Sequence, residues 1–127
     1  MIAEFIYSQP VKIWFGEGQF ARLGAILDEL GTRACVIACG RHFAPEAEKL
    51  MASDRRIRAF FGAVEQNPQL SGIEETVRLC RELSADTVIG IGGGSSLDTA
   101  KFAAAVTLGT GDPIEYYRGL RPSPKSA

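Results

Sequence analysis

Short apolar segments alternate along the chain with longer segments in which apolar residues recur at every third or fourth position. The short segments predict strands at 33–39, 57–61 and 87–91, and the last of them is rich in β-branched residues. The longer segments predict amphipathic helices at 20–30, 44–51, 71–83 and from Ser95 onward. Because strands and helices alternate, we expect an α/β fold. It would be a Rossmann-like, mostly parallel sheet with helices on both faces and a ligand at the carboxyl ends of the strands.

The two ends of the chain depart from this alternation. Residues 4–15 have the pattern of two short strands separated by a Ser-Gln-Pro turn, which predicts a small N-terminal hairpin before the sheet. Residues 118–127 include Pro122 and Pro124 and are typical of a linker. We therefore expect one domain over 1–127 that ends in a linker-like tail.

Glycine and hydroxyl residues predict where the helices begin and end. Gly31 is the expected C-cap of the first helix. Ser71 and Glu74 have the spacing of a capping box at the start of helix 71–83. Ser95 or Ser96 is the expected N-cap of the last helix.

The last helix follows three consecutive glycines, Gly92, Gly93 and Gly94, which end strand 87–91. Asp98 is expected in its first turn. The helix is predicted by apolar residues that recur at helical spacing, namely Leu97, Ala100, Ala104 and Leu108.

This glycine loop is suited to binding an anion. Unpaired N–H groups and the positive end of the helix dipole attract a negative charge, and residues without Cβ let a phosphate come close. Glycines in such a loop can also serve turn geometry alone. Three consecutive glycines lose conformational entropy on folding that a loop with only a structural role would avoid losing. Their presence therefore favours phosphate or pyrophosphate binding.

Two better-known phosphate motifs fit this loop poorly. Gly90, Gly92 and Ser95 match the dinucleotide fingerprint only if Ser95 replaces the third glycine, and the loop follows a late strand. Lys101 lies seven residues after the last glycine, so an NTPase P-loop is not supported.

Composition and charge exclude several classes of partner. The chain has 127 residues, of which 46% are hydrophobic and 23% charged, which is enough for one globular domain with a core. Its net charge of −1 gives no basic field for nucleic acid or anionic membranes. No apolar run approaches the roughly 18 residues of a membrane span, and the start lacks a signal-peptide layout, so we expect a cytoplasmic protein.

The chain offers few metal-ligating or catalytic side chains. Its three cysteines, Cys35, Cys39 and Cys80, have neither zinc-site nor CxxC redox spacing, and burial is their expected role. His42 is the only histidine and has no ligand residues at suitable spacing. We therefore expect no metal site and no catalytic residue within this chain.

The segment 92–101, Gly-Gly-Gly-Ser-Ser-Leu-Asp-Thr-Ala-Lys, resembles the GGG-S-x-x-D-x-A-K signature of the iron-containing (group III) alcohol dehydrogenase family. Gln66-Asn67-Pro68 is similar to the family's Asn-Pro pair. The opening 10–18 is similar to the family's N-terminal strand and its Phe-Gly-x-Gly turn. The resemblance covers essentially the whole chain but only part of the family's length, so we expect the family's C-terminal helical metal-binding domain to be absent.

The resemblance implies a dinucleotide site, with NADP or NAD as the cofactor and Fe or Zn only in the missing domain. An Asn before Pro usually serves turn chemistry alone, but the resemblance makes Asn67 a cofactor contact. It implies further cofactor-binding residues in the glycine loop and the helix after it, namely Gly92, Gly93, Gly94, Ser95, Asp98 and Lys101.

The residues after strand 33–39 bear on the choice between NAD and NADP. Family members that prefer NAD usually have an Asp where this chain has Gly40, followed by Arg41. An acidic residue there repels a 2′-phosphate, so its absence predicts a modest preference for NADP. The alternative is that Gly40 only makes a turn and Arg41 is a solvated charge.

Three functions fit these observations. The first is the cofactor-binding half of a metal-dependent, NAD(P)-dependent alcohol dehydrogenase, inactive without the metal domain. The second is a stand-alone nucleotide-binding or regulatory module, and the third is a structural or assembly fragment with a vestigial pocket. The expected partners are a dinucleotide and a completing helical domain or second chain, with homo-oligomerisation left open.

Overall fold

The computed structural model describes residues 18–66, 70–109 and 111. The predicted N-terminal hairpin at 4–15 and the tail at 118–127 lie outside the described residues. A 3-10 helix at Gln19–Arg22 precedes seven elements in alternating order: α1 Leu23–Leu30, β1 Cys35–Cys39, α2 Ala44–Ser53, β2 Ile57–Phe61, α3 Leu70–Glu82, β3 Thr87–Ile91 and α4 Gly94–Val106.

The three described strands form a parallel sheet in the order β2-β1-β3. Cys35 at the start of β1 lies opposite Ile57 of β2 and Thr87 of β3. Strand β2 pairs with one edge of β1 and β3 with the other edge, so the connection from β2 to β3 crosses β1. The predicted α/β fold with a parallel sheet is therefore confirmed.

Helices cover both faces of the central strand. Cys35, Ile37 and Cys39 pack in one cluster with Leu27 of α1 and Ala47 of α2. Alternate residues of a strand point to opposite faces, and Val36 accordingly packs in a second cluster with Cys80 of α3. A third cluster joins α3 to α4 and consists of Val77, Ala103 and Val106. All five residues of β1 are buried, whereas β3, at the edge of the described sheet, is only partly buried.

Helix α4 differs from its prediction at its start and on its buried face. Its N-cap is Gly93, so Ser95 and Ser96 lie within the first turn and Asp98 is the fifth residue. Of the apolar residues that predicted the helix, Leu97 and Leu108 are 44% and 58% exposed. The buried side chains are instead small or β-branched: Ser96, Thr99, Ala100, Ala103 and Val106.

Close approach to β3 explains this small buried face. A Cβ on Gly90 would lie 2.8 Å from the Ser96 carbonyl oxygen and 2.9 Å from the Ala100 Cβ. Separations this short leave no room for a side chain on the strand or a large one on the helix. Glycine in β3 and small residues in α4 therefore let the helix begin directly above the sheet.

The other predicted helix ends are borne out in part. Gly31 has a φ of 67° and donates its N–H to the Asp28 carbonyl at 3.0 Å, so the predicted C-cap of α1 is confirmed. Helix α3 begins at Leu70, so Ser71 lies inside the helix and is not its N-cap. The predicted capping box with Glu74 is therefore wrong, because Ser71 is the second residue of α3 and not the residue before the helix.

Arg81 of α3 fixes the far end of α4. Its guanidinium donates hydrogen bonds to the carbonyls of Val106, Thr107, Gly109 and Gly111 at distances between 2.8 and 3.2 Å. The last carbonyls of a helix have no intrahelical partner, so a cation there is favourable. This attachment holds the axis of α4 against α3 and so directs its N-terminus.

No helix among the described residues is long and apolar enough to cross a membrane.

Candidate functional site

The carboxyl ends of all three described strands open into one cleft of about 480 Å³. In parallel α/β sheets, ligands bind where successive connections leave in opposite directions, and here that point lies between β1 and β3. The residues that line the cleft come from three loops and the first turn of α4: Gly40, His42, Phe43, Val64, Glu65, Gln66, Gly92, Gly93, Gly94, Ser95 and Ser96.

The loop between β3 and α4 forms one wall of the cleft. Gly92 has a φ of 131°, and a Cβ there would lie 3.0 Å from the Ser96 hydroxyl oxygen, so the turn itself requires glycine. The Gly93 carbonyl accepts the N–H groups of Ser96 at 3.1 Å and Leu97 at 3.2 Å, which starts the helix.

Gly93 and Gly94 have no comparable structural reason to be glycine. Neither has a positive φ, and a Cβ on either would meet nothing within 4 Å. Both border the cleft, so what these glycines keep clear is space that a ligand can occupy. The N–H groups of Gly94 and Ser95 begin α4 and have no carbonyl in a preceding helical turn. The fit is to an anionic group such as phosphate.

The loop after β2 forms the opposite wall. Val64 donates its N–H to the Cys39 carbonyl at 3.1 Å, which ties the loop to the end of β1. The Ser95 hydroxyl donates to the Gln66 carbonyl, which ties the same loop to the first turn of α4. The walls are therefore connected to each other by hydrogen bonds.

The loop after β1 completes the cleft. Phe43 donates its N–H to the Gly40 carbonyl at 3.1 Å, which closes a turn before α2. A Cβ on Gly40 would lie 3.6 Å from the Val64 carbonyl oxygen, an ordinary contact distance, so the backbone leaves room for a side chain there. His42 and Phe43 face the cleft, whereas Arg41 is exposed and does not line it.

The structure brings together some of the cofactor-binding residues predicted from sequence. Those that line the cleft are Gly40, Gly92, Gly93, Gly94 and Ser95. Asp98 and Lys101 are exposed and do not line it, because they lie farther along α4, at its fifth and eighth positions. Asn67 lies outside the described residues.

Six lining residues were not singled out as cofactor contacts: His42, Phe43, Val64, Glu65, Gln66 and Ser96. Ser96 lies within the glycine signature and Gln66 directly precedes the Asn-Pro pair, whereas the other four belong to no motif. The signal that could have identified them is positional, because each follows a predicted strand and the carboxyl ends of parallel strands share one edge.

The described residues contain no group of three or more His, Cys, Asp or Glu side chains that could hold a metal. All three cysteines are free and buried. Burial raises the pKa of the Cys35 thiol to about 12 and also raises the pKa of Cys39 and Cys80. Buried thiols with raised pKa values are poor nucleophiles and metal ligands.

Comparison with known proteins identifies the relatives of this chain. The model of the family described as iron-containing alcohol dehydrogenase matches residues 10–126. NADH-dependent butanol dehydrogenase A of Clostridium acetobutylicum is 32% identical over 114 residues, which are 85% of this chain and 29% of that protein. Maleylacetate reductase of Sphingobium indicum is 33% identical over 101 residues, which are 77% of this chain and 28% of that protein.

Solved structures agree with these relatives. NADH-dependent butanol dehydrogenase A from Thermotoga maritima superimposes with a TM-score of 0.84 and 27% identity, covering 97% of this chain and 32% of that one. Sulfoacetaldehyde reductase from Bifidobacterium kashiwanohense, solved in complex with NAD+, gives a TM-score of 0.83 and 25% identity over 96% and 33% of the two chains. This chain thus spans about a third of the length of these relatives, and it belongs to the iron-containing alcohol dehydrogenase family, of which it represents the N-terminal part.

Proposed function

We propose that this chain is the dinucleotide-binding part of an NAD(P)-dependent alcohol dehydrogenase that transfers a hydride between a nicotinamide and an alcohol or aldehyde. Membership of the family supports the oxidoreductase class. The relatives named above as NADH-dependent or solved with NAD+ support a dinucleotide. In this proposal the chain is inactive alone and is completed by a helical metal-binding domain or a second chain.

The observation that carries this proposal is the open space beside Gly93 and Gly94. Turn geometry accounts for Gly92 and helix packing for Gly90, but neither accounts for the next two glycines. Helix N-termini bind anions, and the cleft lies at the switch point of the sheet. A pyrophosphate that approaches the backbone of Gly93, Gly94 and Ser95 explains both glycines.

The remaining site residues have proposed roles of different kinds. Gly40 and Arg41 would lie near the adenosine ribose, since the loop after β1 borders the cleft. Asn67, Asp98 and Lys101 are assigned by resemblance to the family motif. Asp98 and Lys101 would act from the exposed surface of α4, at the margin of the cleft.

The metal of the family does not fit the described residues, which contain no group of three or more candidate ligands. We therefore propose that the ligands for Fe or Zn belong to the domain that would complete the enzyme, and no chemical step is assigned to a metal here. A cytoplasmic location also remains a prediction from the sequence.

Replacing Gly94 tests this proposal. The Gly94→Val variant should weaken dinucleotide binding by at least about tenfold, because side-chain atoms would occupy the space that a phosphate needs. Calorimetric titration of the chain with NAD and with NADP measures the effect. Equal affinities of the wild type and the variant would contradict a pyrophosphate site at this loop.

A matched pair of alanine variants separates binding from folding. Gly24 and Gly94 both lie in helices, and a Cβ on Gly24 would approach only the Arg56 Nη2 at 4.0 Å. Because alanine favours helices over glycine, we expect Gly24→Ala and Gly94→Ala to be no less stable than the wild type. Only Gly94→Ala should lose dinucleotide affinity.

A further inference from the structure

The loop at 62–66, which follows β2, is attached to the rest of the cleft at two points. Its Val64 donates an N–H to the Cys39 carbonyl at 3.1 Å, and its Gln66 carbonyl accepts the Ser95 hydroxyl. The first bond continues the pairing of β1 with β2, but the second joins the loop to a helix on the far side of β1. The Ser95 bond therefore joins two walls of the cleft directly.

The Ser95 hydroxyl has a single hydrogen atom to donate. While that hydrogen is directed at the Gln66 carbonyl, the hydroxyl cannot donate to a phosphate at the same time. The backbone of Ser95 is also fixed, because its carbonyl accepts the Thr99 hydroxyl at 2.8 Å. The group that Ser95 can offer to an anion in this arrangement is its own N–H.

We propose that Ser95 is a positioning residue, whose hydroxyl fixes the loop at 62–66 as a wall of the cleft before a dinucleotide arrives. A wall ordered during folding avoids the entropic cost of ordering the loop on binding, so the bond raises affinity without the hydroxyl touching the ligand. The order of the loop in the free protein is independent of the proposed function. The expected gain in affinity, by contrast, rests on the proposed function.

The first test uses the ligand-free 127-residue chain and three variants. Ser95→Ala removes the hydroxyl, and Ser95→Thr keeps one. Ser53→Ala is the matched control, because the Ser53 hydroxyl also donates to a backbone carbonyl, that of Leu50 at 3.0 Å in α2. Hydrogen exchange of the Val64 amide reports on the loop, since this N–H is bonded to Cys39 across the junction.

Loss of one hydrogen bond should accelerate exchange at Val64 by about two- to tenfold in Ser95→Ala. Ser95→Thr and Ser53→Ala should exchange at the wild-type rate. Unchanged exchange at Val64 in Ser95→Ala would overturn the proposal. A faster rate in Ser95→Thr equal to that in Ser95→Ala would overturn it too, because the hydroxyl would then be irrelevant.

The second test measures dissociation constants for NAD and NADP with the same proteins. Ser95→Ala should bind either cofactor about two- to tenfold more weakly, with affinity restored in Ser95→Thr and unaltered in Ser53→Ala. A mobile loop with undiminished affinity would overturn the positioning role. If the wild type binds neither cofactor, the proposed function is wrong as well. If the wild type binds but Ser95→Ala binds equally well, only the positioning role of Ser95 is wrong.

Discussion

The four glycines at positions 90, 92, 93 and 94 are required for different physical reasons. Gly90 lets α4 approach β3, since a Cβ there would lie 2.9 Å from the Ala100 Cβ. Gly92 adopts a φ of 131°, which side chains disfavour. Gly93 and Gly94 satisfy neither condition, and in the proposed function the space beside them is needed by the ligand. Neighbouring glycines in one loop can thus be present for different physical reasons.

The loop after β1 contains Gly40 and Arg41, which we expect to bear on the choice between NAD and NADP. Gly40 places no acidic charge at the end of β1, and Arg41 could donate a charge-assisted hydrogen bond to a 2′-phosphate. Arg41 is exposed, so such a pair contributes about 1 kcal/mol or less. The expected preference for NADP is therefore only severalfold.

We expect Gly40→Asp to reverse this preference in favour of NAD. The new carboxylate would repel a 2′-phosphate and could accept a hydrogen bond from a free ribose hydroxyl. The fold should accept the change, since a Cβ at position 40 would contact the Val64 carbonyl oxygen at an ordinary 3.6 Å. The ratio of the dissociation constants for NAD and NADP measures the reversal.

Arg41→Gln serves as the companion variant for this prediction. It removes the charge while it keeps a polar, though shorter, side chain, so it should lower the affinity for NADP and leave that for NAD unaltered. A wild type that favours NAD, or an unaltered ratio in Gly40→Asp, would show that the loop after β1 does not contact the ribose.

At the scale of elements, Asp86 joins the starts of two strands. Its carboxylate accepts the N–H groups of Arg33 at 3.0 Å and Ala34 at 3.2 Å, just before β1, although Asp86 itself immediately precedes β3. Burial alone would raise the pKa of this carboxyl, but hydrogen bonds from Arg33, Ala34 and Thr87 outweigh it and hold the pKa below its ordinary value of 3.8. The charged form therefore stabilises the fold.

Asp86→Ala should lower the free energy of unfolding by about 1–2 kcal/mol at neutral pH, because two backbone N–H groups lose their acceptor. A carboxyl whose pKa is lowered by folding contributes stability above its unfolded pKa and loses it as pH falls through the folded pKa. The difference between wild type and Asp86→Ala should therefore shrink below a pH of about 4. Urea unfolding at neutral and acidic pH measures it.

A second acidic group, Asp54, does not affect the comparison between wild type and Asp86→Ala. Hydrogen bonds from Arg56 also lower the pKa of Asp54, but both proteins contain Asp54, so its contribution cancels in the difference. A stability difference that is the same at acidic and neutral pH would contradict a role for the charged carboxylate of Asp86.

Element positions follow from the sequence where the hydrophobic period is unambiguous. The predicted bounds of β2 and β3 agree with the structure at 57–61 and 87–91. The buried face of α4 did not follow, because it is set by the close approach of Gly90 and not by large apolar residues. Local pattern therefore predicts where a helix lies better than it predicts which residues the helix buries.

At the scale of the whole molecule, the site could be predicted only as far as its motif extends. The glycine loop and Gly40 were expected near the cofactor and do line the cleft. His42, Phe43, Val64 and Glu65 belong to no motif and are brought there by the parallel arrangement of the strands. Their contribution depends on strand order, which the hydrophobic pattern does not specify.

We expect the 127-residue chain to bind a dinucleotide without oxidising an alcohol, whichever of Fe²⁺ or Zn²⁺ is supplied. Oxidation requires that the hydroxyl proton leave as the hydride is transferred, and the described residues offer no group of three or more metal ligands to polarise that hydroxyl. Alcohol-dependent reduction of NAD or NADP by the purified chain is the measurement, with a full-length butanol dehydrogenase as the positive control.

The Gly94→Val variant and a mock preparation separate real turnover from a contaminant, since a contaminant persists in both. Turnover that a chelator abolishes and that is absent from both controls would show that this chain holds a complete catalytic site.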